Sequence, residues 1–401
     1  MSRVTLVLNA GSSSIKFSLF RLVDDDLVRA ADGEIEGLGA SPHLTARANG
    51  QVITERRWDQ GASLTHEAVL GELLAWVEGH LGGDSLAAVG HRIVHGGPDH
   101  WRPTLIDQAL LEQLDALIPL APLHQPHNLA AVRAIRALHP DVDQVACFDT
   151  AFHHGHATEA DRFALPRQWE ARGVRRYGFH GLSYEYVTRR MRALDPKLVA
   201  GRMIVAHLGN GASLCAIRDG RSVDTTMGFT ALDGLVMGTR CGALDPGVIL
   251  YLMQSHGLDA QAIEDLLYRR SGLLAVSEIS GDMRALLGSE EPHAREAIDL
   301  FVFRVVREIG ALTATLGGLD GLVFTAGIGE HAPLIRSRVC QRLAWLGAAI
   351  DPAANVRGGG LVSADRSGLR VWVAPTDEES MIALHTRDVT SGRAAQNIQY
   401  Q

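Results

Sequence analysis

Cysteine is scarce in this 401-residue chain, and Cys147, Cys215, Cys241 and Cys340 lie far apart. No C-x-x-C pair exists, so the spacing offers neither a zinc site nor a disulfide framework. No apolar run reaches the ~18 residues of a membrane span, and the run in MSRVTLVLNAG is too short for a signal peptide. Bases do not outnumber acids: 38 Lys and Arg stand against 46 Asp and Glu, a net charge of −8. That balance argues against a nucleic-acid partner held by a broad basic surface. No low-complexity linker is visible. A soluble, reduced, cytoplasmic protein with no membrane partner fits these absences. A small anionic ligand in a local basic pocket is not excluded.

The length exceeds one typical core, so two domains are expected. The chain opens with LVLNAGSSSIKFSLF, residues 6–20. An apolar strand enters Gly-Ser-Ser-Ser, and a strand of period 2 leaves it. Gly11 and the serines suit a plain turn. They also suit a phosphate cradle, in which backbone N–H groups, hydroxyls and Lys16 meet an anion. The stretch is not a Walker A loop, which needs a second glycine and a following helix. Further on, helices and strands alternate. HEAVLGELLAWVEGHL reads as an amphipathic helix, and SLAAVGHRIVHGG as a strand ending in a glycine turn. HNLAAVRAIRALHP puts Leu129, Val132, Ile135 and Leu138 on one helical face, with Pro140 as the stop. VDQVACFDT is a strand ending at Asp149. Near Arg202 the plan restarts with MIVAHLG, NGAS and LCAIRDGR. GLVFTAGIGE is a strand entering a glycine loop, LRVWVAP a strand, and DEESMIALHTRDV a closing helix that can pack back on the first half. The pattern is a duplicated α/β architecture.

Ligands of open α/β sheets bind at the carboxyl ends of strands. Those positions hold Asn9, Ser12, Arg92, Asp149, Asn210, Gly211, Gly327, Gly329, Glu378 and Glu379. Glycine-flanked loops add Arg175, Arg176, His180 and Arg240. Two carboxylate positions, several arginines and glycine-rich anion loops suit phosphoryl transfer, which is mostly positioning and electrostatics. Arginine's planar fork serves carboxylate and phosphate alike, and magnesium takes one or two carboxylates plus phosphates and waters. Simpler roles exist for each residue. Asp149 suits a turn or N-cap, Glu378 and Glu379 a first helical turn, and His180 a structural histidine. Gly327 and Gly329 suit a tight turn, and Arg175 and Arg176 read more readily as a solvated charge pair. His153, His154 and His156 lack the cysteine or H-E-x-x-H context of a metal site.

Taken together, NAGSSSIKFSLF, GHRIVHGG, LAPLHQPHNL, CFDTAFH, RRYGFHG, AHLGNGAS, MGFTALDGLVMGTR, LDPG, DMR, FTAGIGE and PTDEE resemble, in order, the acetate kinase family. The resemblance covers nearly the whole chain. It implies two duplicated actin-like (ribonuclease H-like) α/β domains with a central cleft. The first is residues 1–150, completed by a C-terminal helix at 385–401; the second is 151–384, with the nucleotide site. It implies reversible transfer of the ATP γ-phosphate to acetate with Mg2+ (Mn2+ as a substitute), in a homodimer. By motif position, Asn9, Ser12, Ser14 and Lys16 match the first phosphate-side hairpin. Arg92 and Arg240 match the arginines on the carboxylate and the phosphoryl group. His124 matches the histidine of the APLH motif, and His180 the transition-state histidine. Asp149 and Glu378, with Asn9, match the metal side. His207, Leu208, Gly209, Asn210 and Gly211 match the second phosphate loop. Asp282, Met283, Arg284, Gly327, Ile328, Gly329 and Glu330 match the adenosine side.

Acetate is already ionised at neutral pH, its pKa lying in the ordinary carboxylate range of about 4–5. The expected mechanism is therefore direct in-line attack with no general base, and Asp149 takes a metal or positioning role. The family pattern is broken in a few places. Cys241 and Ala243 stand where Ser and Asp are usual, Leu182 and Tyr184 lie in a stretch usually GTSH, and Glu278 replaces a small residue. Ala231 replaces a proline of the apolar wall around the acetate methyl, whose other matching positions are Val94, Leu123 and Phe179. A smaller residue there opens the pocket toward propionate, so propionate kinase is the nearest rival reading. A phosphatase or an actin-like assembly protein would not need Arg92 and Arg240 together.

Overall fold

The computed structural model describes residues 3–11, 14–24, 26–38, 41–58 and 66–392. The chain divides into two compact units, Met1–Ala151 with Asp377–Gln401, and Phe152–Thr376.

The first unit is built on one sheet. Its strands are β1 (Arg3–Ala10), β2 (Ser14–Val23), β3 (Asp26–Glu36), β4 (His43–Ala48), β5 (Gln51–Arg57), β6 (Ser85–Ile93), β7 (Thr104–Leu105) and β8 (Asp143–Phe148). They lie in the order β5-β4-β3-β2-β1-β6-β8-β7. The expected hairpin is present: β1 pairs antiparallel with β2, opposing Asn9 to Lys16. The Gly11 N–H donates to the Ser14 carbonyl at 2.8 Å. On its other edge β1 takes β6 in parallel, and β6 takes β8. Such strands are covered on both faces and read as near-continuous apolar runs. One face packs Leu6, Leu8 and Phe17 against Leu73, Val77, Ala131 and Ile135, from helices His66–His80 and Gln125–Leu138. The other face receives the closing helix, Glu378–Thr390. Gly90 of β6 makes that approach possible: a Cβ there would stand 2.2 Å from Thr386 Oγ1. The first unit is re-entered at Asp377 rather than at 385. Leu138, expected on the buried stripe, is 54% exposed, because the helix ends at that residue.

The second unit repeats the plan with β9 (Arg202–Leu208), β10 (Ala212–Arg218), β11 (Arg221–Thr225), β12 (Gly321–Thr325), β13 (Gly360–Leu361) and β14 (Arg370–Val373), ordered β11-β10-β9-β12-β14-β13. In each unit an antiparallel run, five strands in the first and three in the second, is extended past its first strand by two parallel strands. The 25-residue helix Pro292–Leu316 packs on β9, β10 and β11, burying Phe301, Val305 and Ile309, and Gly317 ends it at φ 69°. One expectation fails locally. Residues after β12 are not a glycine loop but the short helix Ala326–His331.

Candidate active site

In the first unit the parallel register brings three predicted residues together. Asn9 lies near the end of β1, Arg92 near the end of β6, and Asp149 just beyond β8. Arg92 donates through Nη1 to Asn9 Oδ1 at 3.4 Å and through Nη2 to Asp149 Oδ2. Asp149 is almost fully buried, and the burial pushes its carboxyl up while Arg92 pulls it down. Its other oxygen, Oδ1, has no hydrogen-bond partner among the described residues. Glu378 opens the closing helix, after Asp377 caps the helix by accepting from the Ser380 N–H at 2.9 Å. Burial, and then the Asp149 charge, push the Glu378 carboxyl up to about 7; Arg92 and Lys16 pull it back. Two acids both pushed up by burial, one of them with a bare buried oxygen, form the kind of environment a divalent cation relieves. Among the described residues no three His, Cys, Asp or Glu side chains cluster as a metal cage. Two carboxylates with one open oxygen are a donor set that suits Mg2+ completed by phosphate and water. Lys16 lies opposite Asn9 and is exposed, Ser14 is half-buried, and Ser12 lies outside the described residues. Val94 is buried, its N–H donating to Asn128 Oδ1 at 2.9 Å, and Leu123 and His124 are half-buried where helix Gln125–Leu138 begins.

In the second unit His180 precedes helix Gly181–Leu194 with φ 60°, a left-handed conformation uncommon for a side-chain-bearing residue. Its ring stacks on His207 at 4.1 Å between centroids, and its Nδ1 lies 2.8 Å from Ser213 Oγ. The Tyr184 hydroxyl lies 2.5 Å from the same Ser213 oxygen. When Tyr184 donates to Ser213 and Ser213 to Nδ1, the His180 proton sits on Nε2. Ser183 Oγ holds His207 Nδ1 at 2.8 Å. The departures Leu182 and Tyr184 thus leave both rings anchored. A Cβ on Gly211 would stand 3.4 Å from His180 Nε2 and 3.8 Å from Arg240 Nη1, so this glycine keeps open the space where the two side chains meet. Arg240 donates from Nη1 to the Ala231 carbonyl at 2.9 Å. Asn210 is fixed by a close approach: its carbonyl accepts from the Gly238 N–H at 3.0 Å, and a Cβ on Gly238 would lie 2.0 Å from its Oδ1. Leu208 and Phe179 are buried, and Ala231 is half-buried.

The residues matched to the adenosine side divide in character. Asp282 caps helix Met283–Leu287, accepting from the Arg284 N–H at 2.9 Å; Arg284 is exposed and Met283 buried. Around Gly327 a Cβ would meet nothing within 4 Å. Ile328 and Gly329 continue the helix opened by Ala326, and Glu330 turns back on it. Its carboxylate accepts from the N–H groups of Ala326 at 2.8 Å and Thr376 at 3.2 Å. Sequence reasoning missed Arg336, which is buried and donates to the Gly329 and Glu330 carbonyls at 2.8 Å each. Arg175 and Arg176 are not a solvated pair. Arg175 is ion-paired to Asp161, and Arg176 reaches Asp233 at 3.1 Å and the Thr225 carbonyl at 2.8 Å.

Two sheets of duplicated topology, with Arg92 at a strand end of the first unit and Arg240 in a glycine-rich loop of the second, define a phosphotransferase of the actin-like fold class. The comparisons narrow that class. Residues 4–384 match the Acetokinase family. The chain is 53% identical to an acetate kinase of Rhodopseudomonas palustris, over 98% of this chain and 100% of that one. A solved propionate kinase from Francisella tularensis superposes with a TM-score of 0.90 at 34% identity, covering 96% of this chain and 100% of that one. The acetate kinase of Porphyromonas gingivalis gives 0.85 at 37% identity, covering 97% and 100%. The chain belongs to the acetokinase family.

Glu378 provides a test of the electrostatics. A raised carboxyl pKa means the folded state holds the proton more tightly than the unfolded state, so stability is greatest below about 4.5 and is lost as pH rises toward 7. Glu378→Gln removes that loss. In metal-free buffer its melting temperature should exceed that of the parent by a few degrees at pH 8, and the gap should narrow at pH 5. A gap independent of pH would contradict the assignment.

Proposed function

We propose that this chain catalyses reversible, Mg2+-dependent transfer of the ATP γ-phosphoryl group to acetate, giving acetyl phosphate and ADP. The observation that carries the reading is Arg92 fixed on a buried carboxylate that keeps a bare oxygen, in a chain of the acetokinase family. Arg92 offers its fork to an anion and is held in register by Asn9 and Asp149. Ionised acetate is itself the nucleophile. One of its oxygens forms the new bond to phosphorus as the bond to the bridging oxygen of ADP breaks, and ADP leaves with that electron pair. Asp149, Glu378 and Asn9 are the residues to hold Mg2+, which when bound neutralises phosphate charge. His180, with its proton on Nε2, and Arg240 supply donors for the equatorial oxygens in flight. The loop of His207, Leu208, Gly209, Asn210 and Gly211 serves the phosphates. Asp282, Met283, Arg284 and the helix of Gly327, Ile328, Gly329 and Glu330 serve the adenosine.

Hydroxylamine traps acyl phosphates as hydroxamates, so ATP, Mg2+, acetate and hydroxylamine should yield hydroxamate in step with ADP. ADP release that ignores the carboxylate, or a kinetically competent phospho-enzyme, would refute direct transfer.

A second reading concerns the acyl chain. Ala231 stands where the family resemblance expects a proline, and its carbonyl is tied to Arg240, so the backbone stays anchored while the side chain is smaller. Propionate should therefore be used comparatively well. One methylene in an apolar pocket is worth about 1–3 kcal/mol, roughly 10- to 200-fold. Ala231→Pro should lower the propionate-to-acetate ratio of kcat/KM by up to that amount, and an unchanged ratio would remove the reading.

A homodimer is also proposed. Helix Pro246–His256 is strongly apolar yet buries none of its residues: Leu250 is 55%, Tyr251 57% and Met253 44% exposed. A second copy is the natural cover for such a face. Leu250→Glu with Tyr251→Glu should halve the mass seen by sedimentation velocity; an unaltered dimer would exclude this helix.

A further inference from the structure

The segment that carries His180 is held by a polar network that the transfer chemistry does not use. His153 lies at its centre, fully buried. Its Nε2 is 2.9 Å from the Phe179 carbonyl, and its Nδ1 is 2.9 Å from Ser222 Oγ. The ring also packs on the same segment from the side. A Cβ on Gly178 would stand 2.5 Å from His153 Cδ2, and that glycine has φ 74°. Behind Ser222 stand His156, whose Nε2 is 2.7 Å from Ser222 Oγ, and Cys215, whose Sγ is 3.2 Å away. His156 Nδ1 faces Asp161 Oδ1 at 3.1 Å, and Asp161 is ion-paired to Arg175.

The donors and acceptors around His153 fix its tautomer. A carbonyl only accepts, so His153 carries its proton on Nε2. Burial pushes the His153 imidazole down to about 3, so the ring is neutral and Nδ1 is an acceptor. The single Ser222 proton must then point to His153. The Ser222 oxygen is then left to accept, and His156 Nε2 and the Cys215 thiol both stand against it, with the Asp161 carboxylate behind His156 Nδ1. The Phe179 carbonyl on one side and the Ser222 hydroxyl on the other lock His153 in one tautomer and one ring orientation. The beneficiary is the Gly178-Phe179-His180 backbone, in which two residues hold positive φ, one of them a histidine. Such conformations persist only where the surroundings over-determine them.

We propose that His153 is a positioning residue for His180, clamping the Phe179 carbonyl from a buried polar chain that runs back through Ser222 and His156 to Asp161. The inference rests on the reading of His180 as the transition-state donor. The geometry of Asp161, His156 and Ser222 is that of a hydrolytic triad. Ser222 is nonetheless buried and its proton is committed to His153, so the set serves as a tether.

The experiment is a double-mutant cycle on the full-length enzyme, measured as kcat with both substrates saturating. His153→Phe keeps the ring against Gly178 and removes both hydrogen bonds. It should lower kcat by 10-fold or more with little change in either KM. His153→Gln retains a donor for the Phe179 carbonyl and should recover part of the loss. In a His180→Ala background, His153→Phe should cost less than 2-fold. The same factor in both backgrounds, or a loss confined to KM, overturns the proposal. A His180→Ala variant that keeps full kcat would instead overturn the catalytic reading of His180. If His153→Phe does not fold, Ser222→Ala, which strips the ordering proton, should show the same background dependence at smaller size. Equal losses from Ser222→Ala in both backgrounds likewise overturn it.

Discussion

The ion pair between Arg92 and Asp149 is the constraint around which the first unit is arranged. Each partner comes from a different parallel strand, and Asn9 comes from a third, so the pair forms only if β1, β6 and β8 keep their register. Register in turn depends on both faces of the sheet being covered, since a one-residue slip would send every buried side chain to the wrong face. A buried pair of this kind is weak evidence for stability, because desolvating two charges offsets their attraction. Removing one partner, however, costs about 3–5 kcal/mol. The arrangement is better understood as a means of holding a guanidinium rigidly. Among the described residues, the Asp149 Oδ1 and the Arg92 Nε lack hydrogen-bond partners, and they mark where polar groups are left unsatisfied. Groups left in that state are concentrated at sites meant to receive something else.

The second unit positions its own arginine, Arg240, through the Ala231 backbone carbonyl, and its histidine, His180, through a hydroxyl and a stacked ring. Space is controlled by glycines at two decisive places. Gly211 keeps His180 and Arg240 from being separated by a side chain, and Gly238 lets Asn210 close against its neighbour.

Much of this was legible in the sequence because it is local. The opening hairpin followed from alternation around Gly11, and the duplication from the recurrence of strand, turn and strand near Arg202. Asn9, Arg92 and Asp149 were legible because each ends an apolar strand. Contacts that join distant positions were not. Arg175 and Arg176 looked like a solvated pair, since nothing nearby announces Asp161 or Asp233 as partners. The glycines after β12 looked like a loop, but Ala326 takes φ 64° and starts a helix at once, with Glu330 folding back to satisfy the Ala326 N–H. The histidines at 153 and 156 suggested only a metal, which their context did not support. Their real partner, Ser222, lies 69 and 66 residues away.

The departures from the family pattern make the same point from the other side. Glu278 takes φ 56° as the cap of helix Gly272–Ser277, a position where glycine would be the easy choice. Its backbone N–H donates to the Leu274 carbonyl, so the turn is held by the main chain and the side chain is left outside it. Ala243 donates its N–H to the Gly234 carbonyl at 2.9 Å, and Cys241 directs its thiol at the Gly242 carbonyl. At these positions the backbone does the structural work, which explains why a serine, an acid and a small residue can be exchanged around Arg240 while its anchor survives. Ala231 is the exception. Its backbone anchors Arg240 as well, but its side chain matches a wall of the substrate pocket. A side-chain change there keeps the carbonyl that anchors Arg240. On the proposed reading of Ala231, a change of side chain at this position would alter acyl-chain preference and leave the Arg240 anchor in place.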